Sequence, residues 1–231
     1  MAWPHFSGNE LEFIGLDNNN IIMFIDLYML TKKYSFTPST IFHAGAHEAQ
    51  ELERYINCGA KKIFWIEGNS ELVHNLKKKL NPEINTVIEG IVSSTCGEDV
   101  IFNIANNSQS SSILELGSHK TLFPSIHYVA EQKKKTITLD SIINEYFPSG
   151  EIDLLNIDIQ GPELKALKGT TENLSRVNNI YLEINTEEVY KECGTVKEID
   201  SFLKDFSFER VETQMYMSQP WGDGFYIKNE T

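Results

Sequence analysis

From residue 40 onward the chain alternates short apolar runs with longer amphipathic stretches, and this alternation restricts the fold more than any other feature. Ile41-Phe42-His43-Ala44 has the composition of a buried strand and ends at Gly45. A helix is predicted from there to about Asn57, with Ala49, Leu52 and Ile56 at helical spacing and Gly59 just beyond. Lys62-Ile63-Phe64-Trp65-Ile66 is a second strand. Asn69 or Ser70 then caps a helix whose Leu72, Val73, Leu76 and Leu80 share one face, stopped before Pro82. Thr86-Val87-Ile88 is a third strand. This order predicts parallel strands joined by right-handed crossovers.

The rhythm breaks between residues 93 and 135. Residues 99–105 alternate like a strand, residues 106–112 are polar and turn-like, and the stretch to Lys135 has weak periodicity. An insertion here is expected to carry substrate contacts, because loops vary over a fixed scaffold. Regularity returns with a helix opened by Thr138 or Asp140, its Leu139, Ile142 and Ile143 on one face. An apolar strand over residues 152–157 ends in Asp158, and Pro162 opens a short helix that Gly169 closes. Residues 180–184 form another strand. Thr195 and Glu198 have capping-box spacing before a helix carrying Ile199, Phe202, Leu203 and Phe206. Two closing strands, residues 208–213 and 225–228, have no helix between them and suggest an antiparallel hairpin at the sheet edge. Residues 1–36 read as an appendage: an irregular stretch to Asn20, then a helix over residues 21–34 packed on the rest and stopped by Thr37-Pro38.

Composition bounds the function. A length of 231 residues with 41% hydrophobic residues suits one large domain, or one domain with an extension. Lys plus Arg is 20 and Asp plus Glu is 33, a net charge of −13, which disfavours a broad nucleic-acid footprint. Lys133, Lys134 and Lys135 are read as a solvated strand edge or loop. The three cysteines, Cys58, Cys96 and Cys193, form no CxxC pair and fit a reducing compartment. The most apolar run, residues 21–30, is about half a bilayer span and carries Asp26, so no membrane helix is expected. These features together predict a soluble, cytoplasmic protein.

Ligands of open parallel sheets bind beyond the carboxyl ends of the strands, near the switch in strand order. Gly45 and the small residues around it let a ligand approach backbone N–H groups at a helix start. No full GxGxxG follows, which counts against a dinucleotide pyrophosphate. Glu67 ends the second strand 22 residues after Gly45, where a carboxylate can accept both hydroxyl protons of a ribose. Asp158 leaves a buried strand, a costly position unless it meets a cation, a donor or a cleft. Secondary candidates are Gln109 to Ser112 as ligand donors, His43, His47, His119 and His127 as bases, and Glu183 and Glu187 at a strand end. Trp221-Gly222-Asp223-Gly224 is read as the turn that closes the hairpin.

Taken together, these residues resemble the FkbM family of S-adenosylmethionine-dependent methyltransferases over about residues 40–228. The first motif is His43-Ala44-Gly45-Ala46-His47-Glu48-Ala49 and the second is Trp65-Ile66-Glu67-Gly68-Asn69. The third and most specific comprises Thr138-Leu139-Asp140, then Ile152-Asp153-Leu154-Leu155-Asn156-Ile157-Asp158-Ile159-Gln160-Gly161-Pro162-Glu163, then Leu167-Lys168-Gly169. His43, His47, Ala49, Asn156 and Gln160 depart from the usual residues of that pattern.

The resemblance implies an α/β, Rossmann-like methyltransferase fold. Its sheet is seven-stranded and mostly parallel, with an antiparallel last strand and helices on both faces. It places the methyltransferase domain at residues 37–231 and implies S-adenosylmethionine as cofactor. Gly45, Ala46, His47, Glu67, Gly68, Asn69, Ile91 and Asp158 are its expected contacts, with no metal. The implied reaction is O-methylation of a hydroxyl on a sugar, glycan or secondary metabolite, a small-molecule rather than nucleic-acid or membrane partner. Asp158 is the first choice beside the reacting methyl, and His127 the second as base. Two other readings stand: a methyltransferase-like binding module without chemistry, motivated by the substitutions at His43, His47, Asn156 and Gln160, and an NAD-dependent oxidoreductase.

Overall fold

The computed structural model describes residues 16–17, 20–21, 25–217 and 219–229. Two-residue strands β1 (Leu16–Asp17) and β2 (Asn20–Ile21) pair antiparallel. Helix α1 (Leu27–Lys33) follows, with Asp26 as its N-cap accepting from Met29 N at 2.9 Å. It is shorter than the 21–34 helix expected, and residues 1–15, 18–19 and 22–24 of the expected appendage lie outside the described residues.

The core alternates as expected: β3 (Thr40–Ala44), α2 (Leu52–Asn57), β4 (Lys62–Glu67), α3 (Ser70–Lys79) and β5 (Asn85–Glu89). A short β6 (Ile91–Val92) leads into the middle segment, β7 (Asp99–Ala105), α4 (His119–Leu122) and β8 (Tyr128–Ile137). The chain returns through α5 (Leu139–Tyr146), β9 (Leu154–Ile157), α6 (Glu163–Lys168), β10 (Asn179–Asn185), α7 (Val196–Lys204), β11 (Phe208–Met215) and β12 (Trp221–Lys228). Asn69, Thr138 and the Thr195–Glu198 capping box start their helices, so side-chain oxygens satisfy first-turn N–H groups.

The main sheet has the order β11-β12-β10-β9-β3-β4-β5. Neighbours among β10, β9, β3, β4 and β5 pair parallel, and β12 runs antiparallel to both β10 and β11. The last strand therefore slots inside the sheet and leaves β11 at the edge. Strand order reverses between β3 and β9, which opens the crevice at their carboxyl ends.

Alternation along the strands divides the core in two. Phe42, Ala44, Phe64, Ile66, Leu155, Ile157 and Leu182 pack with α5, α6 and α7. Ile41, Ile63, Trp65, Leu154, Tyr181 and Phe225 pack with α1, α2 and α3, and Leu27 and Leu30 seal α1 against that side. Phe42 and Phe64, register partners on β3 and β4, stack at 4.3 Å, a geometry worth about 0.5–1.5 kcal/mol beyond area burial.

Three expectations are corrected. No helix starts at Gly45: residues 45–51 form a turn, with φ of +93° at Gly45, +44° at His47 and +55° at Ala49, and α2 begins only at Leu52. The end of the weakly periodic stretch, residues 128–135, belongs to a ten-residue strand, β8 (Tyr128–Ile137), paired antiparallel with β7 and parallel with β6. Residues 221–224 are not a turn but the first half of β12. Lys134 and Lys135 lie on β8 and pair with Glu89 at 2.6 Å and Asp99 at 2.9 Å. Among the described residues no helix is long and apolar enough to cross a membrane, and no group of three or more His, Cys, Asp or Glu is arranged to hold a metal.

Candidate functional site

The crevice is organised by Glu67. Its Oε2 accepts the His47 backbone N–H at 2.8 Å and its Oε1 accepts that of Asn69 at 2.7 Å. Burial raises the pKa of the Glu67 carboxyl above its ordinary value, while these N–H groups work in the opposite direction. The His47 and Asn69 N–H groups thus hold one oxygen of the carboxylate each.

The N–H groups of the Gly45 turn serve the fold rather than a ligand. Those of Gly45 and Ala46 both donate to the Ile66 carbonyl, at 2.9 and 3.0 Å. The glycine itself answers a close approach, since a Cβ there would lie 1.6 Å from the Asp158 carbonyl oxygen. The expected row of free N–H groups at a helix start is absent because the turn closes on its own sheet.

Two adjoining cavities flank this crevice and share Gly45, His47, Gln109, Asp158 and Gln160. The smaller, about 70 Å³, is lined also by Ile66, Glu67, Gly68, Ile91 and Phe102. The larger, about 400 Å³, takes Asn107, Gln109, Ser110, His119, Phe123 and Ile126 from the middle segment. Its opposite wall comes from Glu51, Glu183, Tyr190, Tyr216, Trp221 and Asp223.

Gly45, His47, Glu67, Gly68, Ile91 and Asp158 therefore converge on the smaller cavity. Ala46 and Asn69 stand behind it: Ala46 is buried among α1 and α2, and Asn69 caps α3 while holding Glu67. His127 is not brought to the site. It is exposed at the turn before β8, its ring nitrogen Nδ1 beside the Ser125 carbonyl, and it lines neither cavity. His119 does line the larger one.

Asp158 and Glu183 are tied together by Gln160, whose side-chain nitrogen donates to Asp158 Oδ1 at 2.7 Å and to Glu183 Oε2 at 2.9 Å. The amide oxygen of Gln160 accepts from the Tyr190 hydroxyl at 2.8 Å, and its carbonyl accepts from Ser112 Oγ at 2.7 Å. This clamp holds Gln160 at φ +62°, in the left-handed region that non-glycine residues seldom adopt. Burial raises the pKa of both acids; for Glu183, well above the usual range, Asp158, Glu163 and Asp223 add their repulsion. Burial likewise pushes Glu51 up to about 8 and Glu163 up to about 7.

The substituted motif positions divide by face. His43 and Asn156 are register partners in the core, joined through the Tyr55 hydroxyl: Asn156 Nδ2 donates to it at 2.6 Å and it lies 3.1 Å from His43 Nδ1. Burial lowers His43 to about 3, so its ring is neutral. Of the five substitutions only His47 and Gln160 face the cavities, Ala49 being buried with α1 and α2. Sequence reasoning missed Glu51, Tyr190 and Tyr216; Tyr190 lies in the loop after β10, at the carboxyl sheet end where ligands are sought.

The strand order, the acid ending the second core strand and the cavity over the switch point define a Rossmann-like methyltransferase fold. The methyltransferase FkbM domain model matches residues 43–210, and the chain belongs to that family. Methyltransferase sdnD of Sordaria araneosa is 32% identical over 79 residues, which cover 31% of this chain and 29% of that protein. Methyltransferase FkbM of Methylobacillus flagellatus KT superposes with a TM-score of 0.50 at 14% identity, over 83% of this chain and 44% of the other. The magnesium protoporphyrin IX methyltransferase of Synechocystis PCC 6803, crystallised with S-adenosylhomocysteine, gives 0.50 at 10% identity, over 87% and 79%. Family and fold agree with S-adenosylmethionine as the cofactor and set aside the nicotinamide-dependent reading.

Proposed function

We propose that the protein transfers a methyl group from S-adenosylmethionine to a hydroxyl of a small molecule of the sugar or secondary-metabolite type. The observation that carries this reading is the convergence of Gly45, Glu67 and Asp158 on two adjoining cavities. The residues fit the cofactor. Glu67 presents a carboxylate already fixed by two N–H groups, suited to a pair of ribose hydroxyls. Ile91 and Phe102 give the smaller cavity apolar walls for a base, and Asp158 lies where the two cavities meet.

When bound, the cofactor supplies an electrophilic methyl on a sulfonium. The chain contributes alignment and electrostatics. Asp158, held by Gln160, accepts a hydrogen bond from the acceptor hydroxyl and orients its oxygen. The hydroxyl proton passes to Asp158 or to the neutral ring of His119, whose pKa is lowered by burial. The middle segment supplies one wall of the larger cavity and with it the selection of the acceptor.

Calorimetry with S-adenosylmethionine and S-adenosylhomocysteine tests the reading. Micromolar binding of both to the wild type, lost in Glu67→Ala with the fold intact, is the expected result. Folded wild-type protein that binds neither would overturn it.

A further inference from the structure

Asp158 is held at the site by a side chain that is itself locked. The amide nitrogen of Gln160 carries two hydrogens and has two acceptors for them, Asp158 Oδ1 at 2.7 Å and Glu183 Oε2 at 2.9 Å. The amide oxygen is taken by the Tyr190 hydroxyl at 2.8 Å. A reversed amide would set its oxygen against two carboxyl groups, so this donor and these acceptors leave it one orientation.

The backbone is locked as well. Gln160 keeps φ at +62°, and Ser112 Oγ donates to its carbonyl at 2.7 Å. Backbone strain of this kind persists where the surroundings over-determine it, and it gathers at functional sites. On the next residue, a Cβ at Gly161 would lie 2.9 Å from Tyr190 Cβ, so the exit from β9 is fitted against that tyrosine. Tyr190 is 1% exposed, bridges to Leu116 of the middle segment and packs with Leu114, Val189 and Cys193.

The consequence falls on the two acids that share the amide. A hydrogen bond given to a carboxylate favours its ionised form, and Gln160 acts on Asp158 in that sense, against the burial that raises it. Glu183 is pushed well above the usual carboxylate range, by burial first and then by Asp158, Glu163 and Asp223. Paired acids in unlike environments divide into a proton acceptor and a neutral partner.

We infer that Gln160 and Tyr190 are positioning residues for methyl transfer: Tyr190 fixes the Gln160 amide, and that amide holds Asp158, not Glu183, as the group that takes the acceptor's proton. This rests on the methyltransferase reading and names two residues that serve its reacting centre.

The test follows the Asp158 carboxyl by carbon-13 NMR in the full chain carrying labelled aspartate, its signal identified by its loss in Asp158→Asn. Other titratable groups surround it: Glu183 on β10, Glu51 before α2, Glu163 on α6, His47 after β3, Tyr55 on α2 and Tyr190 after β10. Asp223 acts on this set through Glu183, Arg54 acts through Glu51, and His119 shares the larger cavity. The site's own signal is therefore the readout. Gln160→Met should raise its midpoint by about one pH unit or more, and Tyr190→Phe by a smaller step of about 0.3 unit or more. A midpoint unmoved in either folded variant overturns the inference and leaves the cofactor reading standing, since the clamp then only packs. Should Gln160→Met fail to fold, Tyr190→Phe carries the comparison, because it loses a single hydroxyl.

A second readout ties the clamp to the reacting centre. Only S-adenosylmethionine carries the sulfonium charge, so the ratio of its affinity to that of S-adenosylhomocysteine should rise about threefold or more as pH passes upward through the Asp158 midpoint. That step should move with the midpoint in Tyr190→Phe. A flat ratio in wild-type protein that binds both compounds takes Asp158 away from the sulfonium and overturns the inference. Failure of the wild type to bind S-adenosylhomocysteine overturns the methyltransferase reading and the inference together.

Discussion

The Asp158 carbonyl oxygen occupies the space where a Cβ of residue 45 would stand, 1.6 Å from that ideal position. Gly45 also holds φ at +93°, a region that side chains disfavour. The first and third core motifs are thereby locked together: the chain leaves β3 and β9 as neighbours, and the two exits touch backbone to backbone. Gly45→Ala should cost about 2–4 kcal/mol, the sum of an overpacking and a backbone-strain penalty. Urea denaturation measures this directly. A loss below about 1 kcal/mol would show that β3 and β9 separate readily at the site.

Glu67 has a double duty, since it fixes the turn at His47 and Asn69 and faces the smaller cavity. Glu67→Gln puts an amide NH₂ opposite one of those backbone donors. Stability should fall by about 1–3 kcal/mol, the cost of leaving a buried donor unsatisfied. Affinity for S-adenosylhomocysteine should fall at least tenfold when measured well below the new melting temperature. Full affinity in this variant would remove Glu67 from the ribose site.

Asp158→Asn preserves an oxygen to accept from Gln160, so the fold is expected to hold. Turnover should drop by about 100-fold or more, as for a displaced proton acceptor, with S-adenosylhomocysteine affinity within threefold of wild type. His127→Ala serves as the control, because that ring lies away from both cavities and should leave turnover unchanged. Turnover lost in His127→Ala but kept in Asp158→Asn would reverse the assignment.

The buried acids make stability depend on pH in a direction opposite to that of most surface carboxylates. Burial raises Glu51 from 4.5 to about 8 in the folded chain. Between those values the folded state keeps a proton that the unfolded state releases. The contribution is therefore fully present below pH 4.5 and is lost as pH rises through about 8. Glu163, at about 7, and Glu183, pushed well above the usual carboxylate range, act in the same sense. Melting temperature should fall between pH 5 and pH 8, and Glu51→Gln should flatten that slope. An identical slope in the variant would place the titration on other groups.

The parts of the fold that recur along the chain were legible in the sequence, because burial on both faces of a parallel strand leaves a run such as Ile63-Phe64-Trp65-Ile66, and caps such as Thr138 leave a polar mark. β8 left none: its Glu131, Lys133 and Lys135 face solvent, and the partner strand β7 supplies the hydrogen bonds instead of an apolar face. The turn after Gly45 was hidden for a different reason. Ala49, Leu52 and Ile56 have helical spacing, yet the preceding Ala46 N–H is spent on Ile66 and Ala49 adopts a left-handed angle. Glu67 and Asp158 were readable as acids closing apolar strands. Glu51 was not, because nothing local tells a buried carboxylate at the foot of a helix from a solvated one. Asp223 becomes a site residue only through its register with Glu183.

The two core substitutions, His43 and Asn156, give the sharpest separation between an active enzyme and a binding module. Had they altered the cofactor site, lost chemistry would follow naturally; instead they meet on the Tyr55 hydroxyl, on the side of the sheet covered by α1, α2 and α3. Tyr55→Phe leaves Nδ1 of His43 and Nδ2 of Asn156 without that shared partner, inside an aromatic cluster where Trp65 lies 5.1 Å from the His43 ring. The variant should lose about 1–3 kcal/mol of stability for these unsatisfied groups. Its affinity for S-adenosylhomocysteine should stay within twofold, because the network comes nearest the site at Glu51, 4.0 Å from His43 Nδ1 on the larger cavity, and does not touch Glu67 on the smaller one. A variant with full stability and weakened cofactor binding would mean that the network reaches the site after all, and that the two substitutions bear on chemistry rather than packing.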